Sequence, residues 1–467
     1  MMDTMINEDS YSFKEIEAKI FDYVCGIGRR IIRSFLESYD RYLNETRDKE
    51  AYRNKGKRHT TIKTVCGEVD YNRTVYEVTR EDGTHEYVFL LDEQLHIKGV
   101  GLISQNLAEK LVRTITESSY RVCADQISQA TGQTISAMGV WNVIQGLGKA
   151  VCEDEAELVE NYKQGKVKGE NIAPVLFEEA DGIYVNLQHE SKRKGEIKVG
   201  IAYDGWKKTG TNRYALDGKV VVAGFSNSKE FHDYREAAIA EKYDVDETVV
   251  RIMNADGAEW IKNVHDAETI FQLDPFHRNK AIKEGLCDPG AIHDVHEYLY
   301  SHDIDGMFNY LEMYRDSLSD DDAIERVDRL IQYFKSNRDG LLTYRDRGIA
   351  LPENEKGLEY RDMGTMENHV WSVIAKRMKH NHTSWSIRGG NHLAKILAKK
   401  CCGRLGEVAD KLKKPIFEAA EAVKLLSAAQ VKEKDGTGYE YPVKGHLTWL
   451  DMSKKGDRTI ASRLAGY

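Results

Sequence analysis

The sequence predicts an α/β protein built on a mixed sheet, and three observations carry that expectation. Val175 to Leu187, Glu196 to Tyr203 and Lys219 to Phe225 are three hydrophobic runs in succession, each of strand length. The period then alternates. Ser228 to Lys242 and Gly257 to Val264 are spaced as helices, and Thr248 to Ala255 and Glu268 to Leu273 as strands. The order βββαβαβ needs helical crossovers between its parallel strands. A late amphipathic segment, Tyr360 to Lys379, is the third observation. There Met366, Val370, Val373, Ile374 and Met378 share one helical face and Glu367 lies at its edge, after a Gly364-Thr365 start.

The remaining elements follow in order. Residues 1–55 read as helical, with Phe13, Ile16, Ile20, Tyr23 and Val24 at helix spacing, continued by Ile31, Ile32, Phe35, Leu36 and Tyr39. Residues 56–100 read as a small antiparallel β unit, with TTIKTV and VDYNRTVYEV as extended runs and Asp82-Gly83 as a turn. Residues 101–168 are helical again. Ser119 to Gln129 and Ser136 to Gln145, separated by Thr131-Gly132-Gln133, have helix-turn-helix spacing. An ordinary helical hairpin fits that spacing equally well; in the DNA-binding reading Ser136 caps the second helix and Asn142 and Gln145 project from it. Glu153 to Glu160 and Tyr162 to Gly169 read as a linker. The core then spans 169–275, is interrupted by a helical insertion at 276–356, and is completed at 357–405 by the Glu367 helix; 406–467 is a helical tail with no functional signal.

The composition, 41% hydrophobic and 31% charged over 467 residues, is that of a soluble globular protein with a sizeable core. A net charge of −9 argues against indiscriminate polyanion binding, yet two stretches run the other way. Arg47 to Lys63 holds seven Lys or Arg against two acids, and Lys376 to Lys400 holds seven with no acid. Arg47, Arg53, Lys55, Lys57, Arg58 and Lys63 in the first, and Arg377 and Lys379 in the second, are the candidate DNA contacts. The seven cysteines show no CxxC or zinc spacing and fit a reducing compartment. The N-terminus has no signal-peptide pattern and no apolar run is long enough to span a bilayer, so a cytoplasmic protein is expected. No P-loop is present. His380-Asn381-His382 matches a nuclease motif in letters only, since it follows a helix and lacks a ββα scaffold. Trp371 and Trp385 read as core residues, with stacking on an unpaired base as the alternative.

Two strand acids and one helix acid, Asp181, Asp256 and Glu367, form the set that two-metal phosphoryl transfer needs. Converging carboxylates repel one another unless divalent cations neutralise them, and oxygen ligands with reacting phosphates suit Mg²⁺ or Mn²⁺. Strand alternation puts Glu179 on the same face as Asp181, making it the rival for that role. Glu178 points the opposite way, so its replacement is expected to be mild.

The strand order and the three acid positions resemble the ribonuclease H fold, with the long second gap filled by the helical insertion. The segments VLFEEADG, IAYDGWKK, SKEFHDYREAAIAEKY, NADGAEWIK, QLDPFHRNKAI and YRDMGTMENHVWSVIAKRMKH resemble the ISLre-type insertion-sequence transposases, relatives of the Mutator-like DDE transposases. The resemblance runs from about Phe13 to about Leu405. It implies a ribonuclease H-like catalytic core and a bacterial insertion-sequence transposase. Such an enzyme binds double-stranded DNA at its element's terminal inverted repeats and cuts and joins strands with Mg²⁺ or Mn²⁺ as a homo-oligomer. The family's D, D and E fall on Asp181, Asp256 and Glu367, and its D-x-x-H on Asp274 and His277 as accessory residues. A non-catalytic host-retained DNA-binding derivative, or another ribonuclease H-like nuclease, is the alternative.

Overall fold

The computed structural model describes residues 12–80, 83–95, 102–262, 269–354, 356–380 and 383–410. Most of the C-terminal tail, Asn381 and His382, and the start of the strand expected at Glu268 lie outside these residues. The chain forms two compact units, Met1–Leu147 with Gly406–Tyr467, and Gly148–Leu405. The division falls inside the 101–168 helical region.

The first unit begins with a 34-residue helix, α1 (Phe13–Thr46), opened by a capping box between Ser12 and Glu15. Its N-terminal turns leave Phe13, Ile16, Ile20, Tyr23 and Val24 exposed. Its C-terminal half packs Leu36 and Tyr39 against Ile62, Val69 and Tyr71 of a three-stranded sheet and against Leu91 and Leu95. That sheet is β1 (Arg53–Thr64), β2 (Gly67–Thr79) and β3 (His85–Val88), antiparallel throughout. Buried Asp40 ties α1 to β2 by accepting from the Thr74 N–H (2.8 Å) and hydroxyl (2.7 Å). Four helices follow, α2 (Leu90–Gln94), α3 (Gln105–Ile115), α4 (Tyr120–Thr131) and α5 (Ala137–Lys163). Gly132, at φ 65°, ends α4 in the left-handed conformation that glycine favours. Ser136 accepts from the Gly139 N–H, as expected of a cap. Two expectations fail here. Gln145 is buried, because it shares the inward face with Val143 and Ile144, so only Asn142 is presented. The acidic run Glu153 to Glu160 is helix within α5 rather than linker, with Glu155 buried against Lys395.

The second unit is organised by a five-stranded sheet. Its strands are β4 (Val175–Asn186), β5 (Lys194–Tyr203), β8 (Val220–Gly224), β9 (Val250–Ala255) and β10 (Ile270–Leu273), in the spatial order β10-β9-β4-β5-β8. β4, β5 and β8 are antiparallel neighbours, whereas β9 and β10 run parallel to β4. A hairpin, β6 (Gly205–Gly210) and β7 (Arg213–Asp217), sits between the second and third core strands. Sequence reading missed it because its largely exposed residues carry no alternating apolar pattern. The crossovers are α6 (Ser228–Lys242) and α7 (Glu259–Lys262). α8 (Pro275–Leu286), α9 (Pro289–Tyr300), α10 (Ile304–Ser317) and α11 (Asp321–Ser336) make the helical insertion around their own core of Ile282, Val295, Leu311 and Phe334. The Glu367 segment is α12 (Met366–Val370), a π-helical turn (Trp371–Ala375) and α13 (Lys376–Met378). It is followed by α14 (Ile387–Cys401) and α15 (Leu405–Asp410).

Glu178 points away from Glu179, as alternation requires, but it is fully buried in an ion cluster. It pairs with Arg251 at 2.7 Å and Arg235 at 3.4 Å, and both arginines also hold Glu236 at 2.8 Å. Burial alone would push the Glu236 carboxyl up; the two guanidiniums reverse this and hold it at about 2. Replacing Glu178 therefore strands buried positive charge and costs stability, separately from the mild effect on chemistry that its position facing away from Asp181 predicts.

Candidate active site

Strand register sets the site. Ala180 of β4 pairs with Ala255 of β9, which pairs with Leu273 of β10. The next residue along each strand is an acid: Asp181, Asp256 and Asp274. Three carboxylates thus stand in a row across adjacent strands, whose spacing is about 4.8 Å. Parallel strands at equal register turn equivalent side chains the same way, so the row is a consequence of topology and not of local sequence.

Each acid has a distinct environment. Asp181 is buried and accepts from the Gly182 N–H at 2.7 Å. Burial pushes its pKa up to about 6; the charge of His277 opposes this, and the charges of Asp256 and Glu367 add to it. Asp256 begins a turn in which its Oδ1 accepts from the Ala258 N–H (2.9 Å), with Gly257 at φ 83°. Its carbonyl accepts from the Tyr333 hydroxyl of the insertion (2.7 Å). Asp274 caps α8 through the His277 N–H and also accepts from the Asn254 amide (2.8 Å). Its Oδ2 lies 3.0 Å from His277 Nδ1. That hydrogen bond raises the His277 pKa, with the Asp181 and Asp256 charges adding to it. Asp274, which the resemblance pairs with His277 as accessory residues, is thus the cap of α8, and the cap holds the His277 ring beside Asp181 and Asp256.

Glu179 has a role that sequence reading did not assign. It is fully buried, and its carboxylate gathers the first turn leading into the Glu367 helix. Oε2 accepts from the N–H groups of Gly364 (3.1 Å), Thr365 (3.0 Å) and Met366 (3.2 Å); Oε1 accepts from the hydroxyls of Thr365 (2.6 Å) and Tyr203 (2.8 Å). Gly364 sits at φ 128°, a conformation only glycine adopts without strain. Asn254 donates to Glu179 and Asp274 together, Gln272 donates to Asn254, and the Tyr344 N–H donates to Gln272. The sequence signal for this chain of bonds was available: Asn254 and Gln272 are polar residues inside otherwise hydrophobic strands. Burial pushes the Glu179 pKa up, against the pull of the Thr365, Tyr203 and Asn254 donors. The oxygens of Glu179 are thus occupied by backbone, hydroxyl and amide donors.

Glu367 is exposed on α12, and its charge is felt at Asp181. Among the described residues, no three His, Cys, Asp or Glu side chains stand at mutual metal-holding spacing. The acids share a field without forming a closed ligand set. Their carboxylate oxygens are the donor type that a hard divalent cation takes.

The expected DNA contacts divide. Arg53, Lys57 and Arg58 are exposed on the β1 ribbon. Lys55 pairs with Glu77 (2.7 Å) and Lys63 with Glu68 (2.5 Å), which weakens both as phosphate ligands. Arg47 is turned back on the C-terminus of α1, donating to the carbonyls of Asn44 and Tyr52 and lying 5.4 Å from the Tyr76 ring. Lys379 is exposed, whereas Arg377 is buried with its guanidinium 5.3 Å from the Trp385 ring, so it presents no head group to DNA.

Fold and site together define a mixed α/β protein in which one acid inside β4 stands beside two acids that directly follow the parallel strands β9 and β10. The chain belongs to the uncharacterised protein family UPF0236, which matches residues 6–414. Its relatives include UPF0236 proteins of Caldanaerobacter subterraneus subsp. tengcongensis. One, named for TTE0033 and ten further loci of the same genome, is 26% identical over 433 residues, covering 91% of this chain and 85% of the relative. Another, TTE2489, is 27% identical over 432 residues, covering 90% and 85%. A third, TTE0402, is 27% identical over 432 residues, covering 90% and 80%. So many near-identical loci in one genome are consistent with mobile elements. No helix among the described residues is long and apolar enough to cross a membrane.

Two predictions follow from the acids. The folded state binds a proton at Asp181 more tightly than the unfolded chain, whose carboxyl titrates near the usual 3.8. The stability this contributes is full below that pH and is lost as pH rises through about 6. In EDTA at neutral pH, Asp181→Asn should therefore raise the unfolding free energy by on the order of 1–3 kcal/mol and flatten its pH dependence, as measured by urea denaturation. An unchanged profile would contradict the charge row. Glu179→Gln sets amide hydrogens against backbone donors and should cost about 1–3 kcal/mol in the same assay. A neutral substitution would remove Glu179 from its anchoring role.

Proposed function

We propose that this protein is a DDE-type transposase with a ribonuclease H-like catalytic core. In this reading it cuts and joins DNA strands at the terminal inverted repeats of its own element, with Asp181, Asp256 and Glu367 as the catalytic and metal-holding acids. The observation that carries the reading is the register that sets Asp181 and Asp256 side by side on adjacent strands, with the Glu367 charge acting on Asp181. The strand order, three antiparallel strands with two more parallel to the first, supports the fold assignment. The multi-locus relatives support the mobile-element assignment.

Mg²⁺ or Mn²⁺, when bound, supplies charge neutralisation and activation of a water or 3′-hydroxyl. The chain's own residues set the stage. Glu179 fixes the entry of the Glu367 helix, and Asp274 holds the ring of His277 beside Asp181 and Asp256, where a protonated imidazole can hold a phosphate oxygen. In this reading the exposed Lys57 and Arg58, with Arg53 lying 3.9 Å from Glu77, take the phosphate contacts, and the salt dependence of binding would come from them. Joining two element ends needs two such sites, hence a homo-oligomer on DNA.

Single replacement of Asp181, Asp256 or Glu367 by Ala should abolish cleavage and joining of element-end DNA, a drop of at least about a thousandfold, while DNA affinity stays within a few-fold. The chemistry depends on holding metals and not on one proton transfer, so no acid substitutes for another. An Asp256→Ala protein that still cleaves would exclude this site. Wild-type protein that binds element ends but never cleaves with either metal would favour a DNA-binding derivative.

A further inference from the structure

Beyond the acids, the Glu367 helix carries an exposed strip of unusual make-up. Glu367, Asn368, Trp371, Ser372, Lys376 and Lys379 are exposed, whereas Val370, Val373, Ile374, Ala375 and Met378 are buried. In a regular α-helix the residue following Glu367 and Trp371 along the strip would be Ala375. The π-helical turn at Trp371–Ala375 adds one residue, which sends Ala375 into the core and brings Lys376 into line behind Trp371. The helix thus aligns a carboxylate, an indole and two ammonium groups, with about 6 Å of axial rise between Glu367 and Trp371. Trp371 is 53% exposed, whereas Trp385, seven residues after Met378, is buried and donates to the Met378 carbonyl. An indole exposed one turn from a catalytic acid, when the same segment has a core that readily takes another, is a surface made for a ligand.

We infer that Trp371 is a stacking platform for an unpaired base next to the phosphate held at the acids, and that Lys376 and Lys379 take the phosphates beyond it. This rests on the transposase reading and names the state of its substrate: a strand opened at the cut, not intact duplex. The faces of a paired base are covered by its neighbours, so an indole can stack only on a base freed from the helix. The charge sequence of the strip fits such a strand. Its acid end suits a metal-bound phosphate, its ring a base and its lysines the next phosphates, and no acid occurs from Lys376 to Lys400.

The test uses the full chain, with wild type, Trp371→Ala and Trp371→Phe; the residue is exposed, so folding is preserved. The probe is DNA from the border of its own gene with a short unpaired flank, carrying either a base or an abasic site next to the cut. Binding and Mg²⁺-dependent cleavage are both measured. Trp371→Ala should lose roughly 5- to 100-fold on the base-containing DNA. It should lose little on the abasic DNA, and Trp371→Phe should recover most of the loss. Equal losses on both DNAs, or no loss on either, would overturn the inference. So would a lower mass of DNA-free Trp371→Ala in light scattering, which would assign the indole to a contact between copies. If wild type binds but never cleaves, the transposase reading fails, while the base-dependent binding difference still decides the role of Trp371.

Discussion

The arrangement of this protein depends on one buried carboxylate. Glu179 lies in the central strand, is fully removed from water, and is satisfied by donors from three directions: the turn before α12, Tyr203 of the neighbouring strand, and Asn254 of the strand on the other side. A buried charge is tolerated only when hydrogen-bonded in this way. Its partners are therefore not free to drift, and one of them is the backbone that delivers Glu367. Negative charge at a helix N-terminus is also favoured by the helix dipole. The same residue links the two halves of the site, because Asn254 bridges it to Asp274 and through Asp274 to His277. The acid that reads as a rival to Asp181 holds the turn from which the Glu367 helix starts.

Around that carboxylate the site is electrostatically incomplete. Asp181 is pushed toward neutrality by burial and by Asp256 and Glu367, and His277 is pulled toward the cation by its hydrogen bond to Asp274 and by the charges of Asp181 and Asp256. Burial together with specific charge partners displaces pKa values both at functional sites and in structural ion clusters. The buried Glu178, Arg235, Arg251 and Glu236 cluster, on the opposite face, shows the contrast: there every charge has an opposite neighbour within 3.4 Å.

Much of this was legible in sequence because it follows from period. The strands around Asp181 and Asp256, the α6 helix and the stripe of Met366, Val370 and Val373 were all readable from hydrophobic spacing. What escaped has a physical reason in each case. The β6–β7 hairpin is largely exposed and carries no apolar alternation. Trp371 reads as core by residue type, yet it stands one helical turn from exposed Glu367 on the same outward face, and the π-helical turn after it brings Lys376 rather than Ala375 into line. Arg47 and Arg377 read as surface cations, yet one caps α1 and the other lies against Trp385. Charge on a side chain predicts neither the direction it takes nor the partner it finds. Glu179 could be placed on the right face but not given its role, because its partners lie from 24 to 187 positions away in the chain.

The central claim is that Asp181, Asp256 and Glu367 serve one metal site on the Glu179 scaffold. A crystal structure of the DNA-bound protein soaked in Mn²⁺, read by anomalous scattering, tests it most directly. The account predicts manganese peaks among these three carboxylates, within about 4 Å of each other if two ions bind, with Glu179 still hydrogen-bonded to Gly364, Thr365 and Met366. Manganese bound elsewhere, or the three carboxylates more than about 10 Å apart in the presence of metal and DNA, would contradict it.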